Sequence, residues 1–132
     1  ERKGYDLRLN TPITNNSKFG ISYANTTDEN GNSVSNIPKQ VINASLFSKV
    51  TDKLSINGEL QSVTKLTGVK SDGSGVVPLK DYNLLNAKLS YLLNGNSKIY
   101  LNGENLLDET YETSSGYGTA KRSFYLGYER QF

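Results

Sequence analysis

The chain has 132 residues and a formal net charge of +2, and it contains no Cys, His, Met or Trp. Without Cys or His, it offers no disulfide framework, no zinc site of the usual kind and no Ser–His or Cys–His nucleophile pair. The small, dispersed charge is not a nucleic-acid-binding footprint, so no nucleic-acid partner is expected. No stretch approaches the ~20 apolar residues of a membrane-spanning helix. The composition predicts neither an enzyme nor a bound cofactor.

Seven segments alternate apolar and polar residues with a period of two, which predicts β-strands with one apolar and one wet face. In the fifth segment, Leu85, Leu89 and Leu93 share one face, and Asn86 and Lys88 share the other. The sequence therefore predicts an all-β fold. The predicted strands are 4–10, 19–24, 42–47, 54–61, 85–93, 99–104 and 123–132.

The connections between these strands are alternately short and long, and the long ones are rich in Gly, Ser, Asn and Asp. Transmembrane β-barrels have this arrangement, with short periplasmic turns and longer extracellular loops. We therefore predict an antiparallel up-and-down meander of about seven strands that forms part of a transmembrane β-barrel. The short turns are 12–17, 50–53 and 94–97, and the long connections are 27–38, 67–81 and 110–122.

Periodicity alone does not say whether the apolar face meets lipid or a soluble core. Three observations favour lipid: the polar face is rich in Asn, Ser, Gln and Glu, Tyr recurs near strand ends, and Phe132 ends a strand. One alternative is a soluble β-barrel or sandwich that binds carbohydrate or protein through its long loops. A small eight-stranded barrel is disfavoured by the odd number of strands. The Tyr residues predicted to form an interfacial girdle are Tyr23, Tyr82, Tyr91 and Tyr128.

The C-terminal third carries the most specific pattern. Residues 105–111, Asn-Leu-Leu-Asp-Glu-Thr-Tyr, resemble the motif before the last extracellular loop of TonB-dependent outer-membrane receptors. Gly-Tyr-Gly at 116–118 and Arg-Ser-Phe-Tyr-Leu-Gly at 122–127 are similar to the ending of that family. Upstream, Ile-Pro-Lys-Gln at 37–40 and Lys-Gly-Tyr-Asp-Leu at 3–7 resemble two earlier strand motifs, in the family order.

The resemblance implies a C-terminal assembly signal that barrel-assembly machinery recognises. Phe132 matches the terminal aromatic of this signal, although Arg130 stands where another aromatic is usual. The side chain of Arg130 is expected to reach the headgroups at a small cost. The expected signal residues are Phe124, Leu126, Tyr128 and Phe132.

The resemblance also implies a multi-pass protein of the outer membrane, with a barrel of about 22 strands and a plugged lumen. Such receptors actively import a scarce nutrient, for example an iron–siderophore, haem or cobalamin, using the TonB complex, which acts on the plug domain. Lipid and lipopolysaccharide would surround the wall. Residues 1–132 are expected to be the C-terminal portion of this barrel, without the plug or the earlier strands.

The long connection 110–122 holds the candidate ligand-binding residues. Their aromatic and cationic groups would stack on, or pair with, an anionic ring-containing ligand such as a ferric siderophore. In the alternative interpretation, the two tyrosines anchor the membrane interface and the arginine meets lipopolysaccharide phosphates or a neighbouring loop. The candidates are Tyr111, Tyr117, Lys121 and Arg122.

Overall fold

The computed structural model of the chain describes residues 1–132 and contains eleven β-strands. Alternating residues and the abundance of Tyr, Thr, Val and Ile in the long segments favour extended backbone. No helix is present that is long and apolar enough to cross a membrane. The strands are β1 (Arg2–Thr14), β2 (Ser17–Asp28), β3 (Gln40–Lys49), β4 (Leu54–Thr64), β5 (Thr67–Val69), β6 (Val76–Pro78), β7 (Tyr82–Asn94), β8 (Ser97–Glu104), β9 (Glu112–Ser114), β10 (Tyr117–Gly118) and β11 (Ser123–Arg130).

The seven long strands form one antiparallel sheet in the order β1-β2-β3-β4-β7-β8-β11. The four short strands form two separate hairpins, β5–β6 and β9–β10, which lie inside long connections. Every neighbour in the large sheet is therefore the next long strand along the chain. The predicted up-and-down meander of seven strands is confirmed.

The connections are sorted by length between the two ends of the sheet. We call the end with the three short turns the turn end and the opposite end the loop end. The first turn is shorter than the predicted 12–17, because β1 continues to Thr14 and Pro12 still pairs with Lys18 on β2. The turns are 15–16, 50–53 and 95–96, and the long connections are 29–39, 65–81 and 105–122.

The strand register brings the alternating apolar residues of the seven predicted segments to one side, which we call the apolar face. Leu101 of β8 pairs with Leu89 of β7 and with Leu126 of β11, and Leu89 also pairs with Ile56 of β4. Since residues paired across antiparallel strands lie on the same side of a sheet, these rows form one continuous apolar band. No second layer covers the band, and Leu126 is 80% exposed.

The opposite side, which we call the polar face, carries amides, hydroxyls and charged groups. One row joins Asn10, Gly20, Ser45, Glu59 and Asn86 across five strands. Glycine at position 20 leaves room for two polar side chains, because an added Cβ would lie 2.7 Å from both the Asn10 Oδ1 and the Ser45 Oγ. The sheet thus has the two unlike faces that the alternation predicted.

The predicted tyrosine girdle is only partly correct. Tyr23 lies on the apolar face toward the loop end, and Tyr91 and Tyr128 lie on that face near the turn end. The prediction is wrong for Tyr82, which pairs with Val63 on the polar face and is 5% exposed. Tyr82 is buried because the long connections fold over it, which the sequence pattern does not reveal.

Candidate functional site

The three long connections at the loop end are joined to one another. The backbone N–H of Asn36 donates to the Thr67 carbonyl at 2.6 Å, which links the first connection to the second. Gly68 lies against the third connection, where an added Cβ would come within 3.1 Å of the Ser115 nitrogen. The Lys80 ammonium and the Glu109 carboxylate form an ion pair at 2.7 Å. The loop end is therefore one assembly, not three separate loops.

A small hydrophobic cluster lies beneath these connections on the polar-face side. Its buried members are Val63, Leu66 and Tyr82. The ring of Tyr111, from the third connection, packs against the ring of Tyr82. The two ring centroids are 4.3 Å apart, and the ring planes are inclined by 35°. Such an aromatic contact contributes about 0.5–1.5 kcal/mol beyond the area it buries. Other hydrophobic residues packed against the cluster are Val41, Leu79 and Leu84.

Asn105 lies where the third connection leaves β8, and its side chain binds backbone groups near both ends of that connection. Its Nδ2 donates to the carbonyls of Glu109 at 2.9 Å and Ala120 at 3.1 Å, and its Oδ1 accepts from the Glu109 N–H at 2.9 Å. Its own backbone N–H donates to the Oδ1 of Asn86 at 2.9 Å. Asn105 is 6% exposed and has a φ of 49°, a left-handed conformation that Asn tolerates better than most residues.

Asp108 provides a second attachment for the same connection. It also has a left-handed backbone, with a φ of 54°, and its Oδ1 accepts from the Arg122 N–H at 3.1 Å. The Asn and the Asp of the 105–111 motif thus hold the start of the connection to its finish, immediately before β11. Sequence reasoning recognised the motif but did not predict the clamping roles of these two side chains.

The four predicted ligand-binding residues occupy different surroundings. Tyr111 is packed on Tyr82, whereas Tyr117 is 70% exposed in the β9–β10 hairpin. The Lys121 Nζ donates to the Thr110 Oγ1. Arg122 is held by its backbone, which leaves the guanidinium exposed. They share one connection, but no hydrogen bond, ion pair or ring contact joins their side chains. Their role in ligand binding stays a prediction.

The second connection contains a tight polar turn between β5 and β6. The Gly73 N–H donates to the Lys70 carbonyl at 2.8 Å, and the Lys70 N–H donates to the Gly75 carbonyl at 2.9 Å. The Ser74 N–H donates to the Asp72 Oδ1 at 2.9 Å, and this bond holds the pKa of the Asp72 carboxyl below its usual value. The turn is thus closed on itself and does not form an open phosphate-binding loop.

The polar face below the loop end carries a ladder of side-chain hydrogen bonds. The Gln61 Nε2 donates to the Asn43 Oδ1 at 3.0 Å, and the Asn43 Nδ2 donates to the Ser22 Oγ at 3.3 Å. Beside it lies a groove of about 290 Å³ that includes Glu59 and Asn86. This polar surface suits contact with water or with a polar polypeptide.

The predicted assembly-signal residues lie at the outer edge of the sheet. Phe124, Leu126 and Tyr128 project from β11 onto the apolar face, opposite Gly103, Leu101 and Ile99 respectively. Phe132 was predicted to be the last residue of a strand, but it lies beyond the end of β11. The Arg130 guanidinium lies 5.3 Å from the centre of the Phe132 ring. The second long edge of β11 has no partner strand in the chain.

No protein-family model matches the chain. Among curated proteins, a vitamin B12 transporter of Vibrio cholerae is 38% identical over 56 residues, which cover 42% of this chain and 9% of that transporter. Among solved structures, the outer-membrane ferripyoverdine receptor of Pseudomonas aeruginosa superposes with a TM-score of 0.79 at 20% identity, over 99% of this chain and 19% of the receptor.

A further solved structure, the siderophore receptor PiuA of Acinetobacter baumannii, superposes with a TM-score of 0.79 at 24% identity, over 98% of this chain and 21% of that receptor. The chain has the fold of a TonB-dependent receptor barrel wall. This outcome confirms the resemblance and the fold class that the sequence predicted, because the chain forms an antiparallel seven-stranded sheet like a segment of these receptors' barrel walls. The chain spans about a fifth or less of each of these relatives.

Proposed function

We propose that residues 1–132 form part of the wall and extracellular loops of an outer-membrane receptor that imports a scarce nutrient. The observation that carries this proposal is the continuous apolar band across all seven strands, with Leu7, Leu9 and Leu126 each more than half exposed. Exposed apolar area costs roughly 25 cal/mol per Å² in water, so a band of this extent needs a covering medium. Lipid supplies that medium without a second protein layer.

The two edges of the sheet support the same proposal. β1 and β11 each have one unpaired edge. Inside a bilayer, each unpaired backbone group costs several kcal/mol, so both edges must meet further strands and close a barrel. We infer that the chain is the C-terminal portion of a barrel of about 22 strands, whose plug domain and earlier strands lie outside residues 1–132.

The relatives favour import of a metal chelate or a similar small nutrient. One is named as a vitamin B12 transporter, and two others as a ferripyoverdine receptor and a siderophore receptor. In the proposal, Tyr117, Lys121 and Arg122 contact an anionic ligand at the loop end, while Tyr111 positions the connection that carries them. The residues act by binding and not by catalysis, and no cofactor takes part.

The proposed partners follow from the two faces and from the terminal strand. Lipid and lipopolysaccharide surround the apolar face, and the TonB complex acts through the plug domain. Barrel-assembly machinery recognises the terminal strand through its outward aromatic and aliphatic side chains. A soluble binding module is less favoured, because it requires a cover over the apolar face that the chain does not provide. The proposed recognition residues are Phe124, Leu126, Tyr128 and Phe132.

Two measurements on the receptor that contains the segment test the proposal. Carbonate extraction of cell envelopes should leave the receptor in the membrane pellet, whereas a soluble binder would wash off. A strain that lacks the receptor should lose uptake of one radiolabelled nutrient from a panel of ferric siderophores, haem and cobalamin. That uptake should also stop when a protonophore collapses the proton-motive force. Recovery of the protein in the carbonate supernatant, or unchanged uptake of every nutrient in the panel, would contradict the proposal.

A further inference from the structure

The apolar face becomes polar as it approaches the loop end. One row of paired residues across five strands is entirely hydrophobic and runs from Leu9 of β1 to Leu85 of β7. Four residues closer to the loop end, or about 13 Å away, every side chain in the row across β1 to β4 carries a polar group. Residues four apart on a strand share a face, so this second row lies on the lipid side of the wall, where the hydrophobic band ends. We call it the rim row, and its members are Tyr5, Asn25, Gln40 and Thr64.

The hydroxyl of Tyr23 joins the side chains of the rim row. Its oxygen accepts from the Gln40 Nε2 at 3.0 Å and from the Asn25 Nδ2 at 3.3 Å. The Gln40 Oε1 in turn accepts from the Thr64 Oγ1 at 3.2 Å, and the Tyr5 ring lies 5.9 Å from the Tyr23 ring between centroids. A phenolic oxygen that accepts two hydrogen bonds still has its own proton to donate. The rim row therefore offers tyrosine hydroxyl protons to an acceptor outside the chain.

Two exposed lysines flank the rim row. Lys3 lies on the apolar face of β1 at its loop end, and Lys65 directly follows β4. Neither ammonium forms a salt bridge within the chain. The charge of Lys65 acts through space on the Tyr23 hydroxyl, which places this ammonium near the hydrogen-bonded network. The Asp81 carboxylate accepts from the Lys65 backbone N–H at 2.9 Å and pairs with neither ammonium. The two positive charges are therefore available to an anion.

We propose that the rim row, together with Lys3 and Lys65, binds the diphosphorylated disaccharide headgroup of a glycolipid in the outer leaflet. This inference rests on the proposed function, which places lipid against the apolar face and the loop end outside the cell. It adds a defined site to the general contact with lipid, because the hydroxyls, amides and amines converge only on this part of the wall.

The dimensions of the site favour a headgroup with two phosphates. Lys3 on β1 and Lys65 after β4 are three strand spacings apart, or about 14 Å. A disaccharide with a phosphate at each end matches this width, with one phosphate at each ammonium and the sugar over the rim row. The single phosphate of a glycerophospholipid engages only one of the two lysines. The acyl chains of the glycolipid then continue down the hydrophobic band that begins below the rim row.

Lipid titration of the full-length receptor, purified in a neutral detergent, tests the proposal by native mass spectrometry. The probes are diphosphorylated lipid A, its monophosphorylated form and phosphatidylglycerol, all in the presence of EDTA. We expect diphosphorylated lipid A to bind about tenfold more tightly than either of the others, because only it engages both lysines. Binding should persist in EDTA, since ammonium groups and not divalent cations neutralise the phosphates. An excess of inorganic phosphate should not displace it, because a free anion lacks the sugar and the acyl chains.

Two pairs of variants locate the binding. Lys3→Ala combined with Lys65→Ala should weaken lipid A binding about 25-fold, since each lysine beside an anionic lipid surface contributes about a factor of five. Lys53→Ala combined with Lys70→Ala removes the same net charge elsewhere and should change the affinity less than about twofold, because distant exposed charges are screened. Tyr23→Phe keeps the ring but removes the hydroxyl and should weaken binding about fivefold. Tyr91→Phe, near the turn end of the apolar face, should leave the affinity unchanged.

The possible failures separate this site from the proposed function. Equal affinity for lipid A and phosphatidylglycerol, displacement by inorganic phosphate, or equal losses from the two double-lysine variants would overturn the glycolipid site. A receptor that stays in the carbonate pellet and imports its nutrient would still satisfy the proposed function in each of these cases. Recovery of the receptor in the carbonate supernatant would instead overturn the lipid-facing wall, and the glycolipid site with it.

Discussion

The seven-stranded wall and the loop end are stabilised in different ways. The wall is held by backbone pairing between neighbouring strands, and its apolar face has no covering layer within the chain. The loop end has its own small core of Val63, Leu66 and Tyr82, together with the side-chain hydrogen bonds of Asn105. The wall therefore depends on its surroundings, whereas the loop end depends on a few specific contacts.

This difference has a consequence for substitutions. In the wall, the chemical class of a side chain and the face it lies on should decide the effect, because lipid and water adapt to its exact shape. At the loop end, exact shape and hydrogen bonding should decide it, since a buried donor or acceptor without a partner costs about 1–3 kcal/mol. Substitutions in the wall and at the loop end, each with a matched control, test this difference.

The largest expected effect is a charge on the apolar face. Leu60→Arg should lower the free energy of unfolding from lipid vesicles by about 2–4 kcal/mol, because a cation near the bilayer midplane loses its hydration. Gln61→Arg, one residue along β4 on the polar face, is the matched control and should change it by less than about 0.5 kcal/mol. Equal losses from both variants would contradict the claim that only the apolar face of β4 meets lipid.

The next largest effect is expected at Asn105. Asn105→Ala leaves the Glu109 and Ala120 carbonyls and the Glu109 N–H without this partner, so the third connection should lose about 1–3 kcal/mol of local stability. Hydrogen exchange of residues 109–120 should accelerate while the strands stay protected. Asn102→Ala, on the polar face of β8, should leave that exchange unchanged. Equal acceleration in the two variants would mean that Asn105 does not clamp the connection.

A smaller effect separates the two tyrosines of the third connection. Tyr111→Leu should destabilise the loop end by about 1 kcal/mol, because the ring contact with Tyr82 is lost. Tyr117→Leu should leave stability within about 0.5 kcal/mol, since Tyr117 is mostly exposed. If the predicted ligand role is correct, the second variant should nevertheless weaken nutrient binding. Protease sensitivity and ligand titration of the two variants measure these outcomes; a stable Tyr111→Leu variant would refute the anchoring role.

The smallest effect concerns pH and the β5–β6 turn. Because the folded turn lowers the pKa of Asp72 from its usual 3.8, its stabilising effect is full above that value and is lost as pH falls through the lower folded pKa. Hairpin protection should therefore be constant from neutral pH down to about pH 5 and should decrease in more acidic solution. In Asp72→Asn, the acid-dependent part of this decrease should disappear. An unchanged acid response would assign it to another carboxylate.

The sequence predicted the wall well because alternation reports directly on the side of a sheet that each residue faces. The pairing of Leu89 with Leu101 follows from that alternation and from the short turn 95–96. Strand ends were predicted less well. β1 runs on to Thr14 because backbone pairing with β2 continues after the apolar alternation stops.

The loop end was not predictable in the same way. Tyr82 and Val63 lie beyond the alternating segments, and they are buried by connections whose path depends on long-range contacts. The four short strands lie in Gly- and Ser-rich segments that have no clear strand period. Residues 105–111 were singled out by resemblance, yet the clamping role of Asn105 appears only once the Ala120 carbonyl is placed beside it.

The orientation of the wall is the central claim, and a nitroxide scan of β8 tests it most directly. Residues 1–132 contain no Cys, so single cysteines at 98–102 can each carry a spin label in a reconstituted receptor from which any Cys outside these residues has been removed. Labels at Ile99 and Leu101 should collide with oxygen dissolved in lipid, and labels at Tyr100 and Asn102 with a water-soluble nickel complex. Low accessibility to both reagents at Ile99 and Leu101 would mean that the apolar face is a protein interior and would contradict the account.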